Sequence, residues 1–421
     1  MGKAVKYIKM LTTYMGASLI PMLLNLLVNP LIALNMSPED YAVTGYFTSF
    51  NALINPIITF YLLHYYVKSY FNLDEEGRLK LRATIFKALI FFSFGVAALC
   101  LLLLAGYMLL IDTDLQFPVF PYLLMSVFAL PLAGIYTLEL TDFKMMKKSS
   151  AYFRLSVTNG VALVVMNLLM VVLLKWGATG RLLSPLIVNL LFFIFLIIRH
   201  RNYFKIPFDT AAFKDILCFC LPLAASAALG YFFNGFDRTC LESLGQVHEY
   251  GIYVVGAQMA AYLTTFSAAV NSTFQPDMYK AIAEKDRKAF ASSVGLIVGS
   301  VSVVVLLFIL FAPLLIRILT AGRYVDSTPY ARILALSTIT SSIYYVINNY
   351  TVAKGWPKLY LYTTVAGSIV MAIAMPRAAS VWGFTGAAVT VVLSYLVLSL
   401  FNLLFIRIRH WLAFCKKTHP E

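Results

Sequence analysis

The stretch TIFKALIFFSFGVAALCLLLLAGYMLLI, residues 84–111, determines the fold class of this chain. It carries one charged residue, Lys87, and it exceeds the roughly 20 apolar residues with which a helix crosses the ~30 Å hydrocarbon core of a bilayer. Apolar stretches of spanning length recur along the whole chain. We predict twelve transmembrane helices, at residues 11–34, 41–66, 84–111, 119–141, 155–174, 182–198, 215–235, 250–274, 290–319, 329–352, 359–375 and 384–406.

The composition agrees with an all-α integral membrane protein. Hydrophobic residues make up 61% of the 421 and charged residues 12%, whereas about a quarter of a soluble domain is charged. The segments between spans leave no room for a soluble catalytic domain, so we predict that the chain is not an enzyme and needs no cofactor. A Walker motif and a Cys-x-x-Cys pair are both missing from the sequence, which argues against direct ATP use, a disulfide framework and a zinc site.

The net charge of +14 indicates membrane topology rather than nucleic-acid binding, because the basic residues concentrate in alternate short loops. The loops predicted to face outward, with their helix ends, keep only Lys175, Arg181, Arg238, Arg317, Arg323, Arg332 and Arg377. This asymmetry places both termini in the cytoplasm.

Weak internal similarity divides the chain into two halves of six helices. Tyr41 and Tyr250 open the second and eighth predicted helices, and the interval between them also separates Tyr70 from Tyr279. We therefore predict an N-terminal lobe at 1–208 and a C-terminal lobe at 209–421, related by an axis along the membrane normal with a binding site on that axis.

Polar residues within the spans are candidates for a cavity wall, since polar groups that face lipid are costly. Asn25 and Asn29, like Asn51 and Asn55, are four residues apart and so share a helix face. Hydrogen bonding between packed helices is the alternative interpretation. Further uncharged cavity candidates in the second half are Asn234, Gln258, Asn271 and Asn348.

Two charged features lie within or next to the spans. Asp237 and Arg238 follow the seventh span, where they either pair with each other or offer Arg238 to an anionic substrate and Asp237 to a coupling cation. Glu139 lies near the inner end of the fourth span, where it either binds a coupling ion or pairs with Lys144 or Arg154.

Two further arginines, Arg181 and Arg332, lie near the outer ends of spans. The planar guanidinium donates two parallel hydrogen bonds to phosphate, so both are candidate substrate contacts. The alternative is that they extend to the outer lipid headgroups.

The stretch FNGFDRTCLESLG, residues 233–245, followed by Glu249-Tyr250-Gly251, resembles the middle of Wzx-type polysaccharide (O-antigen) flippases. These belong to the MOP superfamily, which also holds the MATE drug exporters and the lipid II flippase. The first half echoes the pattern with SPEDY at residues 37–41. Asp237 and Arg238 match the family's motif, whereas the first helix lacks the charge that relatives often place there.

The resemblance implies two six-helix lobes around a positively lined central cavity. It further implies that an undecaprenyl-pyrophosphate-linked oligosaccharide moves from the cytoplasmic to the outer leaflet of the bacterial inner membrane, driven by an ion gradient or the membrane potential. Membrane lipids, a polysaccharide polymerase and chain-length proteins are the implied partners of a monomeric protein. Physically, such a cavity replaces the water that a diphosphate sugar would lose in hydrocarbon.

The main alternative is a MATE-like, cation-coupled antiporter of drugs or other small molecules. That function would favour an acidic residue in the first helix, and residues 11–34 contain none. A membrane enzyme would favour clustered carboxylates, but the only cluster, Asp74-Glu75-Glu76, precedes Gly77 among basic residues and is typical of a solvated turn.

Overall fold

The computed structural model describes residues 2–110, 115–354 and 356–418, and all regular secondary structure in these ranges is helical. The predicted third span ends at Ile111, which lies outside the described residues. The helices are α1 (Gly2–Asn35), α2 (Pro38–Ser49), α3 (Asn51–Thr59), α4 (Leu62–Ser69), α5 (Glu75–Leu110), α6 (Tyr122–Met145), α7 (Ser149–Asn167), α8 (Gly177–Arg199), α9 (Thr210–Ala228), α10 (Tyr231–Asn234), α11 (Phe236–Glu242), α12 (Val247–Ala283), α13 (Arg287–Leu319), α14 (Thr328–Ala353) and α15 (Pro357–Thr418). A π-helical turn (Leu168–Leu173) continues α7, and short 3₁₀ helices occupy Arg201–Lys205 and Val325–Ser327.

Eight helices of the described chain are long and apolar enough to cross a membrane, or nine when the bent pair Pro38–Thr59 and Leu62–Ser69 counts as one span. The predicted count of twelve is not confirmed by this measure, although each predicted segment lies largely in helix. The last two predicted spans belong to one helix, α15, whose backbone leaves helical geometry at Gly383 (φ 58°, ψ −145°). The serines, threonines and asparagines of α14 keep that helix below the hydropathy typical of a span.

Two compact units make up the chain. Unit 1 comprises Met1–Ala228 with Leu319–Arg323, and unit 2 comprises Leu229–Ile318 with Tyr324–Glu421. The helix predicted to open the second lobe, α9, packs on α3 and α4 and therefore belongs to unit 1. The division into lobes at 1–208 and 209–421 stays a prediction.

A capping box fixes the start of α2 in unit 1. The Ser37 hydroxyl accepts a hydrogen bond from the Asp40 amide (3.2 Å), and the Ser37 amide donates to the Asp40 carboxylate (2.9 Å). The other Asp40 oxygen accepts a 2.8 Å bond from the amide of Ala178 at the start of α8. Gly177, with φ +49°, leaves the space that this carboxylate occupies. The SPEDY stretch therefore anchors two helix starts.

The second predicted span breaks at Phe60 and Tyr61, which separate α3 from α4. Both residues adopt left-handed backbone conformations, with φ of 47° and 52°. Such conformations are unfavourable for bulky side chains, so the surrounding packing must hold this bend. The bend between the two arms is 52°.

Many leucines on the outer faces of the long helices are exposed, as expected where a helix contacts acyl chains. On α5 the exposed fraction reaches 70% for Leu102 and 80% for Leu110, and on α13 it is 67% for Leu310. Because protein covers only a small part of these side chains, we expect the hydrocarbon of the membrane to cover the rest.

Candidate functional site

A polar cavity lies inside unit 2, bounded by α10, α11, α12, α14 and α15. It consists of two compartments of about 180 and 580 Å³ that share Asn234, Thr264, Ser341 and Tyr395 as lining residues. Both volumes far exceed the ~10–15 Å³ that one water molecule needs. The cavity therefore admits water and a polar solute.

The room for this cavity comes from small side chains on one face of α12. Residues at helical spacing, three or four apart, line it: Ala257, Ala261, Thr264, Ala268, Asn271 and Gln275. On the facing helix α14, Ser337 and Ser341 are equally short. Because the residues on this face of α12 are mostly small, space remains between the two helices, and Leu334 and Tyr345 of α14 line this space without filling it.

Two charged residues line the smaller compartment, and their environments differ. Asp237 is 7% exposed, and its carboxylate accepts a 2.6 Å hydrogen bond from the hydroxyl of Tyr253 on α12. Arg238 forms no ion pair within the described residues, and its buried Nε has no hydrogen-bond partner. The sequence left open whether Asp237 and Arg238 neutralise each other; in the structure they do not pair. The guanidinium is therefore available to an anion in the cavity.

Amides and phenols position the remaining polar groups of the cavity. The hydroxyl of Tyr395 donates to the side-chain oxygen of Asn234 (2.7 Å), whose amide nitrogen donates to the carbonyl of Gly230 (3.1 Å). In the larger compartment the amide nitrogen of Gln275 donates to the side-chain oxygen of Asn349 (3.0 Å). These bonds hold the cavity wall in one arrangement.

Four predicted site residues come together here: Asn234, Asp237, Arg238 and Asn271. Gln258, on the same helix as Asn271, does not line either compartment. Asn348 lies next to the cavity, but its neighbour Asn349 provides the lining side chain. Arg332 is exposed on α14, where its Nε donates to the carbonyl of Ile309 on α13 (3.0 Å).

The predicted uncharged residues of unit 1 make local contacts. Asn25 donates to the carbonyl of Pro21 (2.9 Å), and Asn29 donates to that of Leu319 (2.8 Å). The side-chain oxygen of Asn51 accepts from Ser126 on α6 (3.0 Å), and Asn55 is exposed. Asn29 and Asn51 thus bond across helices, as the helix-packing interpretation requires, whereas Asn25 bonds within its own helix and Asn55 is exposed.

The remaining predicted arginine, Arg181 on α8, contacts a side chain of unit 1. One of its terminal guanidinium nitrogens, Nη1, donates to the side-chain oxygen of Asn167 (3.1 Å). In this arrangement the guanidinium therefore contacts an amide of the protein.

Glu139 pairs with a residue that the sequence analysis did not consider. Its carboxylate lies 2.5 Å from Arg82 on α5, and neither Lys144 nor Arg154 forms an ion pair within the described residues. The expected partners were wrong because they are close to Glu139 only along the chain, whereas α5 packs directly against α6. Whether Glu139 binds a coupling ion stays a prediction.

Several lining residues were missed by the sequence analysis, among them Thr264, Ser341 and Tyr395. No charge marks these positions. The regular spacing of Ala, Ser and Thr along residues 257–275 was the available signal, because small residues at helical period leave a groove on one face. Among the described residues, no group of three or more His, Cys, Asp or Glu side chains is placed to hold a metal ion.

Comparison with known proteins gives a family and a fold. A family model described as "Polysaccharide biosynthesis protein" matches residues 8–280, and no curated protein matches the sequence. An inward-facing multidrug resistance MATE transporter of the MOP superfamily is 14% identical, with a TM-score of 0.67 over 94% of this chain and 97% of that chain. The lipid II flippase MurJ, in an inward closed conformation, is 14% identical, with a TM-score of 0.64 over 93% and 86%. A MOP superfamily transporter from Pyrococcus furiosus is 14% identical, with a TM-score of 0.58 over 95% of each chain.

Proposed function

Because the chain belongs to the polysaccharide biosynthesis protein family, we propose that it translocates an undecaprenyl-pyrophosphate-linked oligosaccharide across the bacterial inner membrane. The lipid-linked sugar enters from the cytoplasmic leaflet and leaves in the outer leaflet by alternating access. An ion gradient or the membrane potential drives the cycle. The protein works as a monomer with both termini in the cytoplasm, alongside the polymerase and chain-length proteins that use its product.

The observation that carries this proposal is the unpaired guanidinium of Arg238 in a polar cavity. The Arg238 side chain is partly buried, and its buried Nε lacks a hydrogen-bond partner, which is costly; a diphosphate supplies acceptor oxygens and negative charge. Charge-assisted hydrogen bonds from arginine to phosphate are also stronger than those between neutral groups. The pyrophosphate therefore binds at Arg238, while the neighbouring amides and hydroxyls contact the sugar.

The other predicted site residues keep distinct roles within this proposal. Asn234 and Asn271 line the cavity and contact the sugar hydroxyls, and Asp237 serves as a cation site once its bond to Tyr253 is exchanged. Arg181, Arg332, Gln258, Asn348 and the asparagines of α1 and α3 lie outside the cavity in this arrangement. Contact with the substrate at those positions requires another conformation of the transport cycle.

Transport in proteoliposomes tests the proposal. The substrate is an undecaprenyl-pyrophosphate disaccharide with a fluorophore on the sugar, and a membrane-impermeant reductant reports the leaflet that the fluorophore occupies. We expect Arg238→Gln to slow transport about tenfold or more, because a hydrogen bond to a charged group contributes ~1.5–3 kcal/mol. Arg317→Gln is the matched control, since Arg317 is exposed on α13 and lines neither compartment.

Each other outcome has a defined meaning. If the wild-type protein moves the labelled lipid no faster than empty liposomes do, the substrate assignment is wrong. If it instead transports a lipophilic cationic dye in exchange for an ion that moves down its gradient, the MATE-like antiporter function is correct. If Arg238→Gln transports as fast as Arg317→Gln, the cavity is not the pyrophosphate site.

A further inference from the structure

A buried cluster of charged side chains joins four helices at one end of unit 1. One guanidinium nitrogen of Arg82 lies 2.5 Å from Glu139, and the other lies 2.6 Å from Asp142. The side chains of Glu139 and Asp142 are 3% and 2% exposed, and that of Arg82 is 11% exposed. Arg82 thus bridges two carboxylates that are almost inaccessible to water.

Charge balance in this cluster depends on a histidine. Two carboxylates face one bridging guanidinium, which leaves one negative charge without a contacting cation. Nε2 of His200, at the end of α8, lies 3.1 Å from the same Glu139 oxygen that Arg82 contacts. This distance is that of an ion pair, although the imidazole N–H is not aligned as a hydrogen bond. A protonated imidazole would make the cluster neutral.

The remaining titratable groups around the cluster do not replace this proton. Arg199 attracts Glu139 electrostatically but forms no ion pair with it within the described residues. Burial raises the pKa of Tyr203, whose ring stacks on that of His200 at 5.0 Å. Tyr66 on α4 and Tyr70 directly after it are further phenols, and phenols are neutral near neutral pH. Among the side chains of this cluster, imidazole is the one that ordinarily gains or loses a proton near neutral pH.

The same cluster contacts one arm of a bent helix. The hydroxyl of Tyr66 on α4 donates a 2.5 Å hydrogen bond to Asp142. The segment α4 begins directly after Phe60 and Tyr61, whose left-handed backbone makes the break with α3. The Tyr66–Asp142 bond therefore connects α4, beyond the bend, to the cluster.

We infer that the cluster of Arg82, Glu139, Asp142 and His200 is a proton-binding site that latches α4, with His200 as the group that takes the proton. With the proton bound, the cluster is neutral, stays buried and keeps α4 closed. Without it, the uncompensated carboxylates favour hydration, and α4 opens about the bend. This inference rests on the proposed transport function and names the proton as its coupling ion.

Hydrogen exchange of the α4 backbone amides tests the latch without any substrate. Exchange is measured in the purified full-length protein at pH 6 and pH 8 and corrected for the chemical exchange rate of free amides. We expect α4 of the wild-type protein to lose protection about tenfold at pH 8, which corresponds to ~1.4 kcal/mol. Protection on α12 of unit 2 should stay constant.

Three variants identify the responsible group. His200→Gln should leave α4 poorly protected at both pH values, and His200→Lys, with a fixed positive charge, should leave it protected at both. His64→Gln is the control, because His64 lies on α4 outside the cluster and is the competing titratable group; this variant should respond like the wild-type protein. Protected α4 amides in His200→Lys would also show that the fold tolerates substitution at this position.

Failure of the latch and failure of the transport proposal give different results. Wild-type protection of α4 that is equal at both pH values, a pH response that persists in His200→Gln, or a response lost only in His64→Gln would each overturn the latch. If the latch responds as expected but no protein moves the lipid-linked disaccharide, the substrate proposal fails instead. If His200→Gln flips that lipid with the same dependence on a pH gradient as the wild-type protein, the coupling role of the cluster is wrong.

Discussion

Tyr253 donates a 2.6 Å hydrogen bond to Asp237, and Asp237 forms no ion pair with the adjacent Arg238. Both residues lie on α11 and line the smaller compartment, and Asp237 also contacts α12 through Tyr253. We therefore expect the bond from Tyr253 to hold the Asp237 carboxylate in an orientation in which it does not pair with Arg238.

Replacing Tyr253 with phenylalanine should lower stability and transport together. The Asp237 carboxylate would lose its donor while still buried, which costs ~1–3 kcal/mol, or it would turn to Arg238 and neutralise it. We expect a lower melting temperature in detergent and slower transport of the labelled lipid. Tyr262→Phe, on the same helix, is the matched control.

This prediction has a clear contrary result. If Tyr253→Phe and Tyr262→Phe melt and transport alike, the hydrogen bond to Asp237 does not control the charge of the cavity.

Gly386 on α15 allows the chain to pack closely against the residues that precede the break at Gly383. A methyl group added at Gly386 would lie 2.6 Å from the Cβ of Trp382 and would also contact the carbonyl oxygen of Ala378. Because backbone atoms cannot yield as a flexible side chain can, Gly386→Ala should cost ~1–3 kcal/mol. Thermal unfolding in detergent measures this loss.

The control for Gly386 is Gly299 on α13, which has no neighbouring atom within 4 Å of an added methyl group. Gly299→Ala should melt at the same temperature as the wild-type protein or higher, since alanine favours helix by ~1 kcal/mol. Equal destabilisation by both substitutions would contradict the packing described around Gly386.

Two ion pairs of α5 should differ sharply in their contribution to stability. Arg82→Ala leaves two buried carboxylates without their cation, and breaking such a pair typically costs ~3–5 kcal/mol. Lys80 and Glu76 pair at 2.7 Å, but both side chains are more than half exposed, so Lys80→Ala should cause no measurable loss. The melting temperatures of the two variants test this, and similar values would show that the Arg82 cluster does not hold unit 1 together.

Hydrophobic length was sufficient to predict an all-helical membrane protein, because it is a local property of the sequence; the topology predicted from charge asymmetry stays a prediction. The breaks within helices were harder to predict. The bend at Phe60 and Tyr61 carries no glycine, and its nearest proline, Pro56, lies within α3. Gly383 allows the backbone to turn within α15, where the sequence analysis separated two spans. Such details depend on packing between helices distant in sequence.

The candidate site could be predicted only in part, because some of its features are local in sequence and others depend on packing between helices. Asp237 and Arg238 stood out as charges beside an apolar span, and the cavity indeed contains both. The Arg82–Glu139 pair joins residues on two helices, so no short motif contains it. The small residues at helical spacing on α12 are visible in the sequence, but they were not predicted as site residues because they carry no charge.

Family and fold together identify the chain as a multi-pass membrane transporter or flippase of the polysaccharide biosynthesis protein family. Among the described lining residues of the cavity in unit 2, Arg238 is the only basic one and Asp237 the only acidic one, and the proposal of an anionic substrate depends on Arg238.

The most direct measurement concerns the leaflet that holds the lipid-linked oligosaccharide in cells. Spheroplasts are treated with periodate, which oxidises sugar diols but does not cross the inner membrane, and the labelled lipid-linked pool is then extracted. We predict that this pool resists oxidation in cells depleted of the protein, becomes oxidisable when the wild-type protein is restored, and stays resistant with Arg238→Gln. Equal oxidation in depleted and complemented cells would contradict the account.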